Sequence, residues 1–295
     1  MRMTVTATGT SRIDLGRDIA GLGKPRITVF VLITTAIGIF VAPQSMPWIA
    51  GMLSICATGL LVAAANTLNC YIERDTDARM ERTRKRPLPD GRIPANWALG
   101  VGLMSAAIAV PTLVLAANRL TATLGLAALL IYVLAYTPLK RVGPFALQVG
   151  AFAGAMPPLM GWAAATGRIG GLGAVLFAIL FLWQMPHFLA LSLLYEEDYR
   201  RGGIATLSVR RGPEVARRRL PIWAGALTIT SLLALPVGAA GLLYAVPASL
   251  AGLGFVAVAW AAGRESSASL WARRAFLYSL AYLPIVLGAL LLDAR

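Results

Sequence analysis

The chain has 295 residues, 58% of them apolar and only 14% charged, and carries a formal charge of +14. With a mean hydropathy of +0.70, this composition excludes an ordinary water-soluble enzyme and places the chain in a lipid bilayer. The two cysteines, Cys56 and Cys70, exclude a disulfide framework, and the positive charge reads as attraction to anionic headgroups, not nucleic acid.

Residues 1–26 are expected to form a cytoplasmic N-terminal segment. Residues 1–20 are polar and hold no apolar signal core, while Asp14 and Asp18 argue against a transit peptide. Residues 27–295 read as a single membrane domain. Cutting at charged and Pro/Gly-rich breaks gives nine apolar spans, near 27–45, 48–72, 96–117, 120–137, 144–166, 172–195, 221–241, 244–262 and 272–292. All are expected as helix, since an unpaired sheet edge does not survive in hydrocarbon. The predicted fold is therefore all-α: a polytopic bundle of nine transmembrane helices with a cytoplasmic N-terminus. With that orientation, the N-terminal segment and the even-numbered connections collect 24 of the 27 Lys and Arg residues, all but Arg119, Arg168 and Arg295. One helix more or fewer scrambles that segregation.

The second span runs into the most informative stretch, NTLNCYIERDTDARMERTRKRPLPDGR at 66–92. Asn69, Glu73 and Asp77 recur every four residues, a spacing that drifts only about 40° per step on a helix, so the three share one face. Polar groups at the embedded end of an apolar helix cost free energy unless they have partners or a function. Arg82, Arg84, Lys85 and Arg86 follow. Oxygen ligands beside guanidinium groups at a membrane mouth suit a magnesium-bound phosphate ester. Arg82 and Arg86 share a face if their segment is helical.

The sixth span contains His187, the one histidine, followed by Glu196, Glu197 and Asp198. Eleven residues separate His187 from Asp198, roughly 20° beyond three full turns, so the two face one way if the helix is continuous. Pro186 can kink such a helix without reversing its face. A lone histidine is as often a packed bundle residue as a functional one.

Several strings together are similar to the UbiA-type intramembrane prenyltransferase superfamily, in its haem-modifying branch. They are Lys24-Pro25-Arg26, the Asn66–Leu88 region with Arg86-Pro87-Leu88, Tyr136–Arg141, Pro157-Pro158 with Gly161-Trp162, Trp183–Phe188, Asp198-Tyr199 and Gly203-Ile204. The match has two departures. Glu73 stands where the superfamily's first motif usually has Asp, and no Asp-x-x-x-Asp second motif lies between Leu194 and Tyr199.

The resemblance implies Mg²⁺-dependent transfer of a farnesyl group from farnesyl diphosphate to a vinyl group of protohaem IX (haem b), with water, giving haem O and diphosphate. It implies Asn69, Glu73, Asp77, Asp198 and His187 as catalytic residues. Glu73, Asp77 and Asp198 are the implied metal ligands, and Glu196 or Glu197 can stand in for Asp198. Asn66, Arg82, Arg86, Lys140 and Arg141 are expected to bind diphosphate, and His187 to bind haem. The cavity is expected to open toward the cytoplasmic side of the cell inner membrane, with association with a haem-A-forming enzyme or a terminal oxidase. Two other readings compete: prenylation of an aromatic acid or quinone precursor, and secondary transport through helices broken at Pro157-Pro158 and Pro186. Transporters place ionisable groups near the midplane, whereas only Asp293 of the thirteen acids here falls on the outer side.

Overall fold

The computed structural model describes residues 12–261 and 268–293, and the secondary structure of those residues is almost entirely helical. Arg2, Arg264 and Arg295, which count in the charge segregation, lie outside the described residues. Helix α1 (Arg12–Leu22) bends by 52° into α2 (Pro25–Phe40). The long α3 (Trp48–Asp77) packs on α4 (Ala95–Ala116), and α5 (Arg119–Leu130) passes through a π-helical stretch, Ile131–Tyr136, into α6 (Thr137–Leu139). A broken pair follows, α7 (Ala146–Gly154) and α8 (Met156–Thr166), then α9 (Gly171–Leu194). Two short helices, α10 (Glu196–Arg201) and α11 (Leu207–Arg211), lead to α12 (Pro213–Leu232), α13 (Leu242–Trp260) and α14 (Ala268–Asp293).

Among the described residues, six helices are each long and apolar enough to cross a membrane, or seven if the bent α1–α2 pair is one span. The nine-span expectation changes in three places. The segment expected at 27–45 is a 16-residue helix that starts at Pro25, where the missing N–H costs nothing. The segment at 144–166 is cut at Ala155, because Pro157 and Pro158 donate no backbone hydrogen bond and begin a new helix. The segment at 221–241 starts earlier, at Pro213, and so takes Arg217, Arg218 and Arg219 into its first turns.

Small residues let the helices approach closely. A Cβ on Gly38 would collide with the Pro158 carbonyl, and one on Gly161 with the Thr35 carbonyl, so α2 and α8 pack backbone to backbone. Buried hydroxyls are satisfied within their own helices: Thr35 donates to Val31 O at 2.8 Å and Thr58 to Ser54 O at 2.8 Å. One apolar core joins α9, α12, α13 and α14 around Leu176, Leu227, Phe255 and Tyr282. A second joins α3, α4, α5 and α8 around Leu61, Leu113 and Met160. The site lies at one end of this second half.

Candidate active site

The four-residue spacing on α3 does what the helical period requires. Asn69, Glu73 and Asp77 lie on one buried face, with Glu73 6% exposed and Asp77 2%. Asn69 Nδ2 donates to Glu73 Oε2 at 2.9 Å and to Thr137 Oγ1 at 3.0 Å. Three cations from outside α3 close on this face. Lys24 Nζ donates to Asn69 Oδ1 at 2.9 Å. Lys140 Nζ lies 2.9 Å from both Glu73 carboxylate oxygens. Arg86 Nη1 meets Asp77 Oδ2 at 2.7 Å.

The local chain explains how the cations arrive. Lys24 occupies the bend between α1 and α2 with φ 51°, left-handed backbone that non-glycine residues rarely adopt. That turn aims its side chain at α3. Asn66 braces the same bend, donating to Gly23 O at 3.3 Å. The π-helical stretch before Thr137 shifts the helical register, a feature frequent at functional sites. It lets Thr137 accept from Asn69 while its own hydroxyl bonds Tyr132 O at 2.8 Å. Lys140 follows, over the Tyr136 ring at 4.5 Å.

Burial holds the Lys24 ammonium below the usual lysine value, and repulsion from Lys140 and Arg86 acts the same way. Burial opposes the Lys140 charge too, but the field of Tyr136, Glu73 and Tyr132 outweighs it and raises this lysine above its ordinary value.

Asp198 does not join these residues. Its carboxylate accepts the backbone N–H groups of Glu81 at 2.8 Å and Arg82 at 3.1 Å, clasping the 78–91 loop to α10. Glu196 and Glu197 pair with Arg200 and Arg201 on the surface. Among the described residues, no three His, Cys, Asp or Glu side chains cluster as a metal-holding group. Arg82 and Arg86 part company, because residues 79–91 form turns instead of a regular helix. Arg86 takes Asp77, whereas Arg82 lies over the rings of Tyr195 at 5.2 Å and Tyr199 at 5.8 Å. Arg141 reaches Thr76 Oγ1. His187 and Asp198 do not share a continuous helix; α9 ends at Leu194 and α10 starts at Glu196. His187 instead sits in an aromatic cluster between α9 and α14, stacked on Trp183 at 4.6 Å.

A hollow of about 200 Å³ is lined by Asp75, Thr76, Arg79, Arg141, Gly202 and Gly203, and of the predicted site residues it takes in Arg141 alone. A larger one of about 640 Å³ lies elsewhere, beside Trp162, Arg168 and Asp293, and contains none of the predicted site residues. Lys24 and Thr137 were not singled out as site residues from sequence. A lysine immediately before the Pro25 helix start is the available signal, but on sequence alone it reads only as a topology charge and part of a motif. Thr137 was hidden because the π-helical stretch breaks the 3.6-residue count.

The fold agrees with known proteins. The UbiA prenyltransferase family matches residues 31–280. A protoheme IX farnesyltransferase from an Anaeromyxobacter species is 45% identical over 286 residues, covering 97% of this chain and 96% of that protein. A structure concerning digeranylgeranylglyceryl phosphate synthase superposes with a TM-score of 0.79 at 16% identity, covering 94% of this chain and 97% of the other. A UbiA homologue from Archaeoglobus fulgidus bound to DMAPP and Mg²⁺ superposes with a TM-score of 0.67 at 16% identity, covering 92% of this chain and 99% of that one. The chain is thus a multi-pass intramembrane enzyme and belongs to the UbiA prenyltransferase family.

Proposed function

We propose that this protein transfers a farnesyl group from farnesyl diphosphate to a vinyl group of protohaem IX, giving haem O and diphosphate. The observation that carries the reading is the buried Asn69-Glu73-Asp77 face, ringed by Lys24, Lys140 and Arg86. It occurs in a chain 45% identical, over nearly its whole length, to a protoheme IX farnesyltransferase.

The residues fit a magnesium diphosphate. Glu73 and Asp77 are hard oxygen donors, and Glu73 Oε1 is buried against the Lys140 ammonium at 2.9 Å. Mg²⁺ typically takes one or two protein carboxylates and fills its shell with phosphate oxygens and water, so the absence of a third clustered acid is no obstacle. When bound, the ion neutralises charge developing on the leaving diphosphate. Three cations face two carboxylates, so the face carries a net positive charge, which complements an anionic substrate. Substrate binding exchanges partners. Glu73 and Asp77 would hold the metal, and Lys24, Lys140 and Arg86 would meet phosphate oxygens as charge-assisted donors. Asn66 braces the bend that carries Lys24, Arg141 lines the small hollow, and Arg82 sits on the loop that Asp198 clasps.

The farnesyl C1–O bond breaks with its electron pair leaving on diphosphate. The vinyl carbon attacks the allylic cation, water captures the new cation beside the macrocycle, and a proton is lost. Apolar helices keep bulk water from the cation. His187 meets the haem, either at iron or at the porphyrin edge. Residues 27–295 act as one domain in the cell inner membrane, with the Lys24–Glu73 end facing the cytoplasm and a haem-A-forming enzyme or terminal oxidase receiving the product.

Product identification decides the matter. Purified protein in nanodiscs receives farnesyl diphosphate, haem b and hydroxybenzoate together, with or without Mg²⁺. Mass spectrometry should show haem O formed only with the metal. Prenylated hydroxybenzoate alone overturns the acceptor, and no release of diphosphate overturns the chemistry.

A further inference from the structure

Ser279 lies on α14, fully buried, between three hydrogen-bonding partners. Its Oγ is 2.5 Å from the Phe276 carbonyl and 2.8 Å from His187 Nδ1. Its own carbonyl accepts the Trp183 indole N–H at 2.7 Å, which pins α14 against α9 at this level. A serine hydroxyl has one proton. A carbonyl oxygen offers none, so a 2.5 Å contact between two oxygens holds only if the hydroxyl proton lies between them. Oγ therefore meets His187 as an acceptor, and the proton of that bond must sit on Nδ1. Neutral imidazole carries one N–H, so Nε2 is left with a bare lone pair.

Three rings pack around the imidazole. Trp183 stacks on it at 4.6 Å, Phe276 lies at 4.9 Å, and Phe188 abuts it edge-on at 5.2 Å. Among the described residues, Nε2 has no hydrogen-bond partner, and it is not one of the fully enclosed polar atoms.

We propose that Ser279 is a positioning residue for the reaction. It locks His187 as the Nδ1–H tautomer, so that Nε2 presents a lone pair to the haem substrate. The tautomer follows from the hydrogen bonds alone, whereas its use rests on the haem reading of His187 given above. A hydrogen-bond acceptor on one imidazole nitrogen is the usual way a protein orients the other toward a metal or a proton.

Because His187 is the only histidine in the chain, selective ¹⁵N-histidine labelling gives the signals of one ring. The protein is prepared with a histidine-free tag in nanodiscs. The wild-type spectrum should show a protonated Nδ1 and a bare Nε2. Ser279→Ala should give a mixture of tautomers, and Ser279→Thr should restore the single form. A protonated Nε2 in the wild type, or an unchanged tautomer in Ser279→Ala, overturns the proposal. Haem b titration is the second arm. Ser279→Ala should bind haem about tenfold more weakly, the effect of losing one orienting hydrogen bond. If haem b leaves both the Nε2 signal and the haem absorption spectrum unmoved, the haem reading of His187 fails while the tautomer stands.

Discussion

The Glu73–Lys140 pair gives the most demanding test of the site. Its side chains are 8% and 17% exposed, so it is a buried pair, not a surface one. Replacing Lys140 by Met leaves the Glu73 carboxylate with the Asn69 amide as its remaining hydrogen-bond donor. Stranding a buried charge costs about 3–5 kcal/mol. Arg86 and Lys24 stay close by and screen part of that, so about 3 kcal/mol is expected. Glu73→Gln is cheaper, because Lys140 keeps the face of Tyr136 at 4.5 Å. A cation over an aromatic ring retains about 0.5–2 kcal/mol, so a loss near 2 kcal/mol is expected. The double variant removes both charges and should be more stable than the sum of the singles by about 2 kcal/mol or more. Denaturant unfolding in mixed micelles measures all four proteins. Adding Mg²⁺ should restore much of the loss in Lys140→Met, where the carboxylate waits for a cation, and none in Glu73→Gln. Turnover should be lost in Glu73→Gln and in the double variant alike. A Lys140→Met protein as stable as wild type, or equal rescue of both single variants by Mg²⁺, refutes the reasoning.

Four further outcomes rest on named contacts. Gly161→Ala places a methyl against the Thr35 carbonyl and should cost about 3 kcal/mol or more, because backbone cannot yield as a side chain can. Gly288→Ala, which meets nothing within 4 Å, should be close to neutral in the same unfolding assay. Lys24 has its charged form disfavoured by burial first and by Lys140 and Arg86 next, so kcat/KM should fall with rising pH before the ordinary lysine value of 10.5 is reached. Lys24→Arg should move that fall to higher pH, and a pH profile identical in the two proteins removes Lys24 from diphosphate binding. Asp198→Ala frees the Glu81 and Arg82 amides, so hydrogen exchange across 78–91 should quicken about tenfold or more. Unchanged exchange there means the clasp does not hold the loop.

Much of this is legible in the sequence. Apolar length and charge segregation made an all-helical membrane bundle the expected answer, because hydrocarbon leaves a backbone few other ways to satisfy its hydrogen bonds. Asn69, Glu73 and Asp77 were readable as one face because a four-residue spacing depends only on the local helical period. That face survives intact in the fold. Arithmetic over longer stretches failed where the helix itself was interrupted. Tyr195 separates His187 from Asp198, the turns at 79–91 send Arg82 and Arg86 different ways, and the π-helical stretch at Ile131–Tyr136 resets the face that Thr137 presents.

Periodicity is a property of an uninterrupted backbone, and sequence shows it directly. Which cation meets which carboxylate is a property of packing, decided by residues tens of positions apart. Lys24 reaches Asn69 across 45 residues and Lys140 reaches Glu73 across 67. The acidic helix face is therefore written in the chain, whereas its ring of partners, the Asp198 clasp and the Ser279–His187 contact come only with the packing of segments far apart in sequence.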